Sequence, residues 1–505
     1  MAAFALSNAA GLVRQILTTR AFGTGADIDA YNAASTFPDL LFTLIAGGAL
    51  ASAFVPTFTG LLARGQTERA WRLASAILNL ILLLLTLTSL VSAVFAPQII
   101  RYFLAPAMDP AQQALSAALM RVLLIAPAIF GASGLMMGVL NAYQVFWWPA
   151  LAPTMYWLGM IFGILFWAPA AGIFGLAWGA VLGAFLHFAV QLPALLRLPA
   201  RRYWVGLSLG NSDVREVARL MGPRLLGVAV VQLNFVVNTI LATSMAEGSL
   251  TAIKYAWAVM TMPQVVIAQA IAIAALPTFS AQAAQGRLGE MRASLAGTLR
   301  GVIFLSLPAA VGLIVLRQPV VALLFQRGEF DAQSTQMVAW ALLWYTAGLV
   351  SHSVVEIVAR AFYAMHDTKT PVFVGAGAMA LNLVFSLFFS WLFLRMNWAP
   401  HGGLALANTL ATSLEMLGLL LLMRRGLKGL QGRLILTGTL KSIFASLVMV
   451  GGLFAWLRLS ITLTPFWVVG GAVVFGAGLD GVSLLGLKVE EARNILRWVG
   501  RRGSE

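Results

Sequence analysis

From Leu73 to Ala96 the chain reads LASAILNLILLLLTLTSLVSAVFA, without one charged residue. At 1.5 Å of rise per residue, a helix of that length crosses a hydrocarbon core about 30 Å thick. Apolar runs of similar length recur from end to end. Of 505 residues, 60% are hydrophobic and 10% charged, and the mean hydropathy is +0.87. Soluble domains carry about 25% charged residues. No water-soluble fold of this size hides that much apolar surface, so lipid is the solvent for most of the chain. A membrane barrel would show alternating segments of about 10 residues; none is seen.

Helices are expected near 4–22, 30–62, 71–96, 112–142, 147–168, 171–195, 217–245, 250–282, 297–318, 335–364, 370–396, 402–424, 436–458 and 463–487. Pro and Gly punctuate them, as at Ala168-Pro169-Ala170-Ala171-Gly172. The expected fold is an all-α polytopic membrane protein of about 14 transmembrane helices. The polar tail from Lys488 is expected at the membrane surface.

Several chemistries are excluded. The chain has no cysteine, hence no disulfide or thiolate metal site. His187, His352, His366 and His401 are scattered without metal-ligand spacing, and no phosphate-binding Gly-x-x-x-x-Gly-Lys-[Ser/Thr] loop occurs. No cleavable signal is expected, because the first positive charge, Arg14, lies inside the first apolar stretch. The chain is read as a non-enzyme without a metal.

Orientation follows from basic residues. Of 33 Lys and Arg, 20 lie on the loops after helices 2, 6, 8, 10 and 12 and on the tail. Six lie on the opposite loops, and the remainder fall in helices or at their ends. Positive loops stay cytoplasmic, so both termini are expected in the cytoplasm of a multi-pass inner-membrane protein. The +15 net charge is thereby a topology signal, and no nucleic-acid partner is implied.

The chain also repeats itself. Ser52-Ala53-Phe54-Val55-Pro56-Thr57-Phe58-Thr59 echoes Ile273-Ala274-Ala275-Leu276-Pro277-Thr278-Phe279-Ser280, an offset of 221. Thr36-Phe37-Pro38 echoes Thr261-Met262-Pro263, and Asn141-Ala142-Tyr143 with Pro149 echoes Phe362-Tyr363-Ala364 with Pro371. An even number of helices per unit makes such repeats parallel, as in transporters with a cavity between two halves. The expected organisation is two pseudo-symmetric six-helix lobes plus two C-terminal helices. The N-lobe would span 1–196, an inter-lobe linker 197–216 and the C-lobe 217–425. Helices 13 and 14 would occupy 426–487 and the cytoplasmic tail 488–505.

Charges interrupt these helices. A central charge costs roughly 2.5–3.5 kcal/mol on insertion scales, so it usually faces protein or a watery cavity. Arg14 is read as lining such a cavity, the other reading being a structural pair with an acid such as Asp39. Arg20 stands near a helix end, where it could serve a cavity or snorkel to the headgroups. Glu356 and Arg360, at i and i+4, are read as an intrahelical ion pair, and Lys441 and Asp480 as interfacial. The excess of buried arginine suits an anionic cargo, because a guanidinium fork matches phosphate oxygens with two parallel hydrogen bonds.

Seven stretches carry a family resemblance: Gly11-Leu12-Val13-Arg14, Arg20-Ala21-Phe22-Gly23, Asp29-Ala30-Tyr31, Phe37-Pro38-Asp39-Leu40-Leu41, Ala53-Phe54-Val55-Pro56, Leu324-Phe325-Gln326-Arg327-Gly328-Glu329-Phe330, and Ala361 through Pro371. In these the chain resembles the MurJ (MviN) family of the MOP exporter superfamily. The resemblance implies two lobes around a basic cavity, with helices 13 and 14 forming a groove for a lipid tail. It implies a lipid II flippase, moving the undecaprenyl-pyrophosphate-linked peptidoglycan precursor from the inner to the outer leaflet by alternating access. Arg14, Arg20 and Asp29 match charged cavity positions of the family; Asp39 and Arg224 join them as candidate substrate contacts. Asn238 and Asn382 stand where relatives place coupling-ion ligands. Implied partners are lipid II, membrane lipids and cell-wall synthesis proteins, around a monomer. No cofactor is implied beyond a coupling cation, sodium or proton, or the membrane potential.

The chain departs from the family at Tyr255-Ala256-Trp257-Ala258, where a cavity arginine is missing, and at Thr36 and Gly47. Two other readings stand beside the flippase. One is a MOP exporter of another undecaprenyl-linked glycan or a small molecule. The other is a membrane scaffold for cell-wall enzymes.

Overall fold

Backbone amides have no water partner inside a bilayer, so spanning segments must satisfy them internally. The computed structural model meets that demand with helices throughout, and no strand occurs among the described residues. Those residues are 2–45, 48–208, 210–460 and 463–487; the expected surface tail lies outside them. Among the described residues, ten helices are long and apolar enough to cross a membrane, from Thr67–Val94 to Pro465–Gly486. Ala332–Ala347 and Leu349–Ala364 make a further span bent by 46° at Gly348. Three more segments, Ala2–Phe22, Ala26–Ile45 followed by Gly48–Ala63, and Ser212–Thr243, are helical as well. Helices thus stand at all fourteen expected places. The ninth, Leu288–Phe325, is longer than its apolar core suggests, because the polar turn at Leu288–Arg292 continues the helix.

Two compact units divide the chain. The first is Met1–Thr251 with Arg327–Asp331; the second is Ala252–Gln326 with Ala332–Glu505. In the first, Trp147–Phe162 and Ile173–Ala189 cross on glycines. A Cβ on Gly159 would lie 2.3 Å from Cα of Gly183, so only hydrogen fits there. Phe54, Phe58, Trp71 and Tyr143 form a chain of ring contacts with centroids 5.1 to 6.3 Å apart. In the second unit, Phe279, Leu295, Leu299, Ile357, Val358, Leu419 and Met423 make a continuous buried core.

The internal repeat is written into the backbone. Gly65 (φ 73°) ends helix Gly48–Ala63, with Gly65 N–H donating to Leu62 O and Gln66 N–H to Leu61 O. Gly286 (φ 69°), 221 residues on, repeats both bonds from Gly286 to Ala283 and Arg287 to Gln282. Gln144 (φ 59°) and His366 (φ 60°), 222 apart, do the same without glycine. All four are left-handed C-caps that satisfy carbonyls left over at a helix end.

The stretch from Ala361 to Pro371 is explained by this chemistry. His366 closes Leu349–Ala364, and Asp367 opens Lys369–Arg395. One Asp367 oxygen accepts from the N–H groups of Lys369 (3.1 Å) and Thr370 (3.0 Å), the other from the Thr370 hydroxyl (2.6 Å). The Thr370 bonds, side chain before backbone, hold the Asp367 carboxyl below its usual pKa. A depressed carboxylate pKa stabilises above the unfolded value, near 3.9, and that stability is lost as pH falls through the folded one. Asp367→Ala is therefore expected to cost about 1 kcal/mol at neutral pH, the usual worth of a cap. Thermal unfolding in detergent measures it, and the gap from wild type should close as the solution is made strongly acidic. An unchanged midpoint at pH 7 would show the cap to be idle.

Candidate functional site

Polar residues and two arginines interrupt helix Ala2–Phe22. It packs on Trp147–Phe162. At Gly11 the Trp157 indole lies within van der Waals reach of the helix, 3.4 Å from where a Cβ would be. One turn on, the Arg14 guanidinium carbon sits 4.8 Å from the centroid of the Trp157 ring. This is cation–π geometry, worth about 2 kcal/mol or more when desolvated. Arg14 is half-buried, and its Nε–H is buried without a hydrogen-bond partner. Beside it, Tyr156 is half-buried within electrostatic range of both Arg14 and Asp39. The Phe130 ring packs against Tyr156 at 5.1 Å and against Phe42 at 4.9 Å. The first unit thus holds a cation with one unused donor on an aromatic floor, an acid within electrostatic range, and hydrophobic backing.

The other expected site residues divide. Asp39 is exposed and, through Tyr156, shares the electrostatic neighbourhood of Arg14. Arg20 is exposed at the helix end, where its carbonyl accepts from Glu329 N–H at 3.0 Å. Asp29 is 4% exposed, and both carboxylate oxygens are occupied. They accept from Gly248 N–H (2.7 Å), from Thr251 N–H (2.9 Å) and from the Thr251 hydroxyl, capping the start of helix Ser249–Gln264. An acid at a helix N-terminus is a structural device, and in this structure Asp29 is engaged as that cap. The Arg224 side chain lies outside the described residues.

Asn238 donates to Asn234 Oδ1 at 3.1 Å within the first unit. Asn382, in the second unit, is 1% exposed; its Oδ1 accepts from Ser386 and its Nδ2 is buried without a partner. As oriented, Asn382 offers a donor where a cation would want an oxygen. Glu356 and Arg360 form the expected intrahelical pair at 2.8 Å. Lys441 donates to the Leu487 carbonyl at 2.9 Å, at the end of Pro465–Gly486. Asp480 is buried at 7% exposure, where an interfacial position was expected.

The second unit carries a cavity of about 390 Å³, lined wholly by apolar side chains and glycine. Pro308, Gly312 and Leu316 form one wall, Met449 and Leu453 a second, Ala472 and Gly476 a third. The last two walls belong to Gly432–Leu459 and Pro465–Gly486, the helices outside the repeat. Gly476 admits the Leu453 and Met449 side chains at 3.1 and 3.5 Å from where its Cβ would be. Trp157 and this cavity were not readable from sequence alone. The only trace of the first was a glycine three residues before an arginine.

With this geometry in view, similarity to known proteins is informative. Residues 18–476 match the family model described as lipid II flippase MurJ. A Burkholderia cenocepacia protein named lipid II flippase MurJ is 32% identical over 83% of this chain and 81% of its own length. The chain belongs to the MurJ family. A Vibrio cholerae relative, "Probable lipid II flippase MurJ", is 29% identical over 98% of this chain and 94% of its own. The fold agrees with a solved MurJ in an inward closed conformation, at TM-score 0.81 and 23% identity, covering 95% and 96% of the two chains. An inward-facing multidrug-resistance MATE transporter of the MOP superfamily aligns at TM-score 0.69 and 16% identity, over 85% and 95%. MurJ membership agrees with the polytopic all-helical build.

Proposed function

We propose that this chain is a lipid II flippase, carrying the undecaprenyl-pyrophosphate-linked precursor from the cytoplasmic to the outer leaflet by alternating access. The observation that carries the reading is Arg14, a membrane-embedded guanidinium with an unused N–H, held against the Trp157 ring. A pyrophosphate approaching it would gain charge-assisted hydrogen bonds. The apolar cavity against Gly432–Leu459 and Pro465–Gly486 supports the same reading, because a prenyl chain needs a dry channel of that chemistry. The basic-loop asymmetry favours cytoplasmic termini, and so the leaflet from which cargo is taken. A coupling cation or the membrane potential supplies the drive.

The test is complementation. Expressed in a strain depleted of its own lipid II flippase, this chain should restore growth and peptidoglycan synthesis. Lysis despite normal membrane abundance would reassign it to another undecaprenyl-linked cargo of the MOP group.

A further inference from the structure

A second cavity, of about 450 Å³, opens in the first unit. Trp71, Leu78 and Leu82 of Thr67–Val94 line it, with Leu135, Met136 and Val139 of Ala126–Ala142. Over its mouth runs the non-helical segment 201–206, which supplies Arg201, Arg202 and Tyr203 to the lining. This segment is pinned as a strap. The Asn79 amide donates to the carbonyls of Trp204 (2.9 Å) and Gly206 (2.8 Å), and Trp204 N–H donates to Ser75 Oγ at 3.2 Å. Tyr203 hydroxyl bonds Asn79 Oδ1, and Arg72 stacks on Trp204 at 5.4 Å. Ser75 and Asn79 are thus polar interruptions of an apolar helix that serve to hold a loop in place.

The neighbouring cations are matched. Arg69 forms a two-point pair with Asp213 at 2.6 and 2.8 Å, and Arg72 pairs with Glu68 at 2.8 Å. Arg201 and Arg202 are exposed, and neither is ion-paired among the described residues. Two adjacent unneutralised guanidiniums above a greasy cavity ask for a ligand with an anionic head and an apolar tail. Tyr203 and Trp204 mark the depth at which headgroups meet acyl chains.

We propose that this pocket binds one anionic phospholipid, an acyl chain in the cavity and the phosphate on Arg201 and Arg202. The lipid is a resident of the N-terminal unit, separate from transported cargo. It wedges the strap against Thr67–Val94 in anionic membranes.

Native mass spectrometry of the purified full chain in mixed phosphatidylglycerol and phosphatidylcholine micelles tests the proposal. Wild type should retain one phosphatidylglycerol in preference to phosphatidylcholine. The double variant Arg201→Ala/Arg202→Ala should lose that preference by about tenfold or more, as expected for loss of charge-assisted bonds. Ala132→Phe, which fills the cavity and leaves the charges, should weaken retention of both lipids. The proposal is overturned by equal retention of the two lipids in wild type, or by an undiminished preference in the arginine variant. It is equally overturned if undecaprenyl pyrophosphate displaces the phosphatidylglycerol mole for mole, since the pocket would then be the cargo's.

Discussion

Arg14→Ala is expected to reach the membrane at wild-type abundance and to lose lipid II translocation by about 10- to 100-fold. The size follows from a hydrogen bond to a charged group, about 1.5–3 kcal/mol, at 1.4 kcal/mol per factor of ten. The family resemblance implies an arginine where Ala258 stands, so Arg14 is expected to carry more of the load. Arg14→Lys should recover only part, because an ammonium cannot offer two parallel donors and stacks less well on an indole. Trp157→Ala should resemble Arg14→Ala, since the guanidinium would lose the surface that aims it. Trp157→Phe should be milder. Translocation of a fluorescent lipid II in proteoliposomes, normalised to protein, is the measurement. A sharp fall in abundance of Arg14→Ala would make the residue structural; full activity would place cargo capture elsewhere.

Gly23→Ala and Gly328→Ala should each destabilise the first unit by on the order of 3 kcal/mol, combining left-handed strain with overpacking. Gly23 has φ 57°, and a Cβ on it would lie 2.4 Å from Glu329 O. Gly328 has φ 61°, and its Cβ would lie 2.3 Å from Arg20 O. Each obstacle is backbone, which cannot swing aside. Both substitutions break one contact, the docking of Arg327–Asp331 on the end of Ala2–Phe22, so the double variant should be little worse than either single one. Gly65→Ala is the control. Its φ is 73° but nothing lies within 4 Å, so it should show the backbone strain alone, about 1 kcal/mol. Thermal midpoints in detergent decide the matter, and the idea fails if Gly23→Ala unfolds no earlier than Gly65→Ala.

Most of the fold was legible because the bilayer reduces the problem to counting apolar residues. The run from Leu73 to Ala96 could be nothing but a span, and the Pro56 and Pro277 segments exposed the repeat. The left-handed pairs at Gln144 and His366 were not visible, since neither residue is a glycine. The site was legible only in part. Composition singled out Arg14 as a charge in lipid, but Trp157 is remote in sequence and the pairing depends on tertiary packing. Asp29 looked like a cavity acid for the same reason that Arg14 looked like a cavity base. Local sequence does not say whether a buried carboxylate meets a cargo or the bare amides of a helix 219 residues away. Ser75 and Asn79 read as tolerated polar residues because their partners are backbone groups of a loop.

The stacking of Arg14 on Trp157 also has a consequence in time. The two residues are 143 positions apart, and chains grow at roughly 5–20 residues per second. The arginine is therefore synthesised roughly 7 to 30 seconds before the ring that will shelter it. Ala2–Phe22 is too polar to count among the apolar spans, so it has little tendency to partition alone during that interval. It is expected to wait in a hydrated setting, at the insertion machinery or the headgroup layer, until Trp147–Phe162 arrives. Synthesis order and membrane-entry order then differ for Ala2–Phe22, and stalling translation between these two segments should leave that helix accessible to protease.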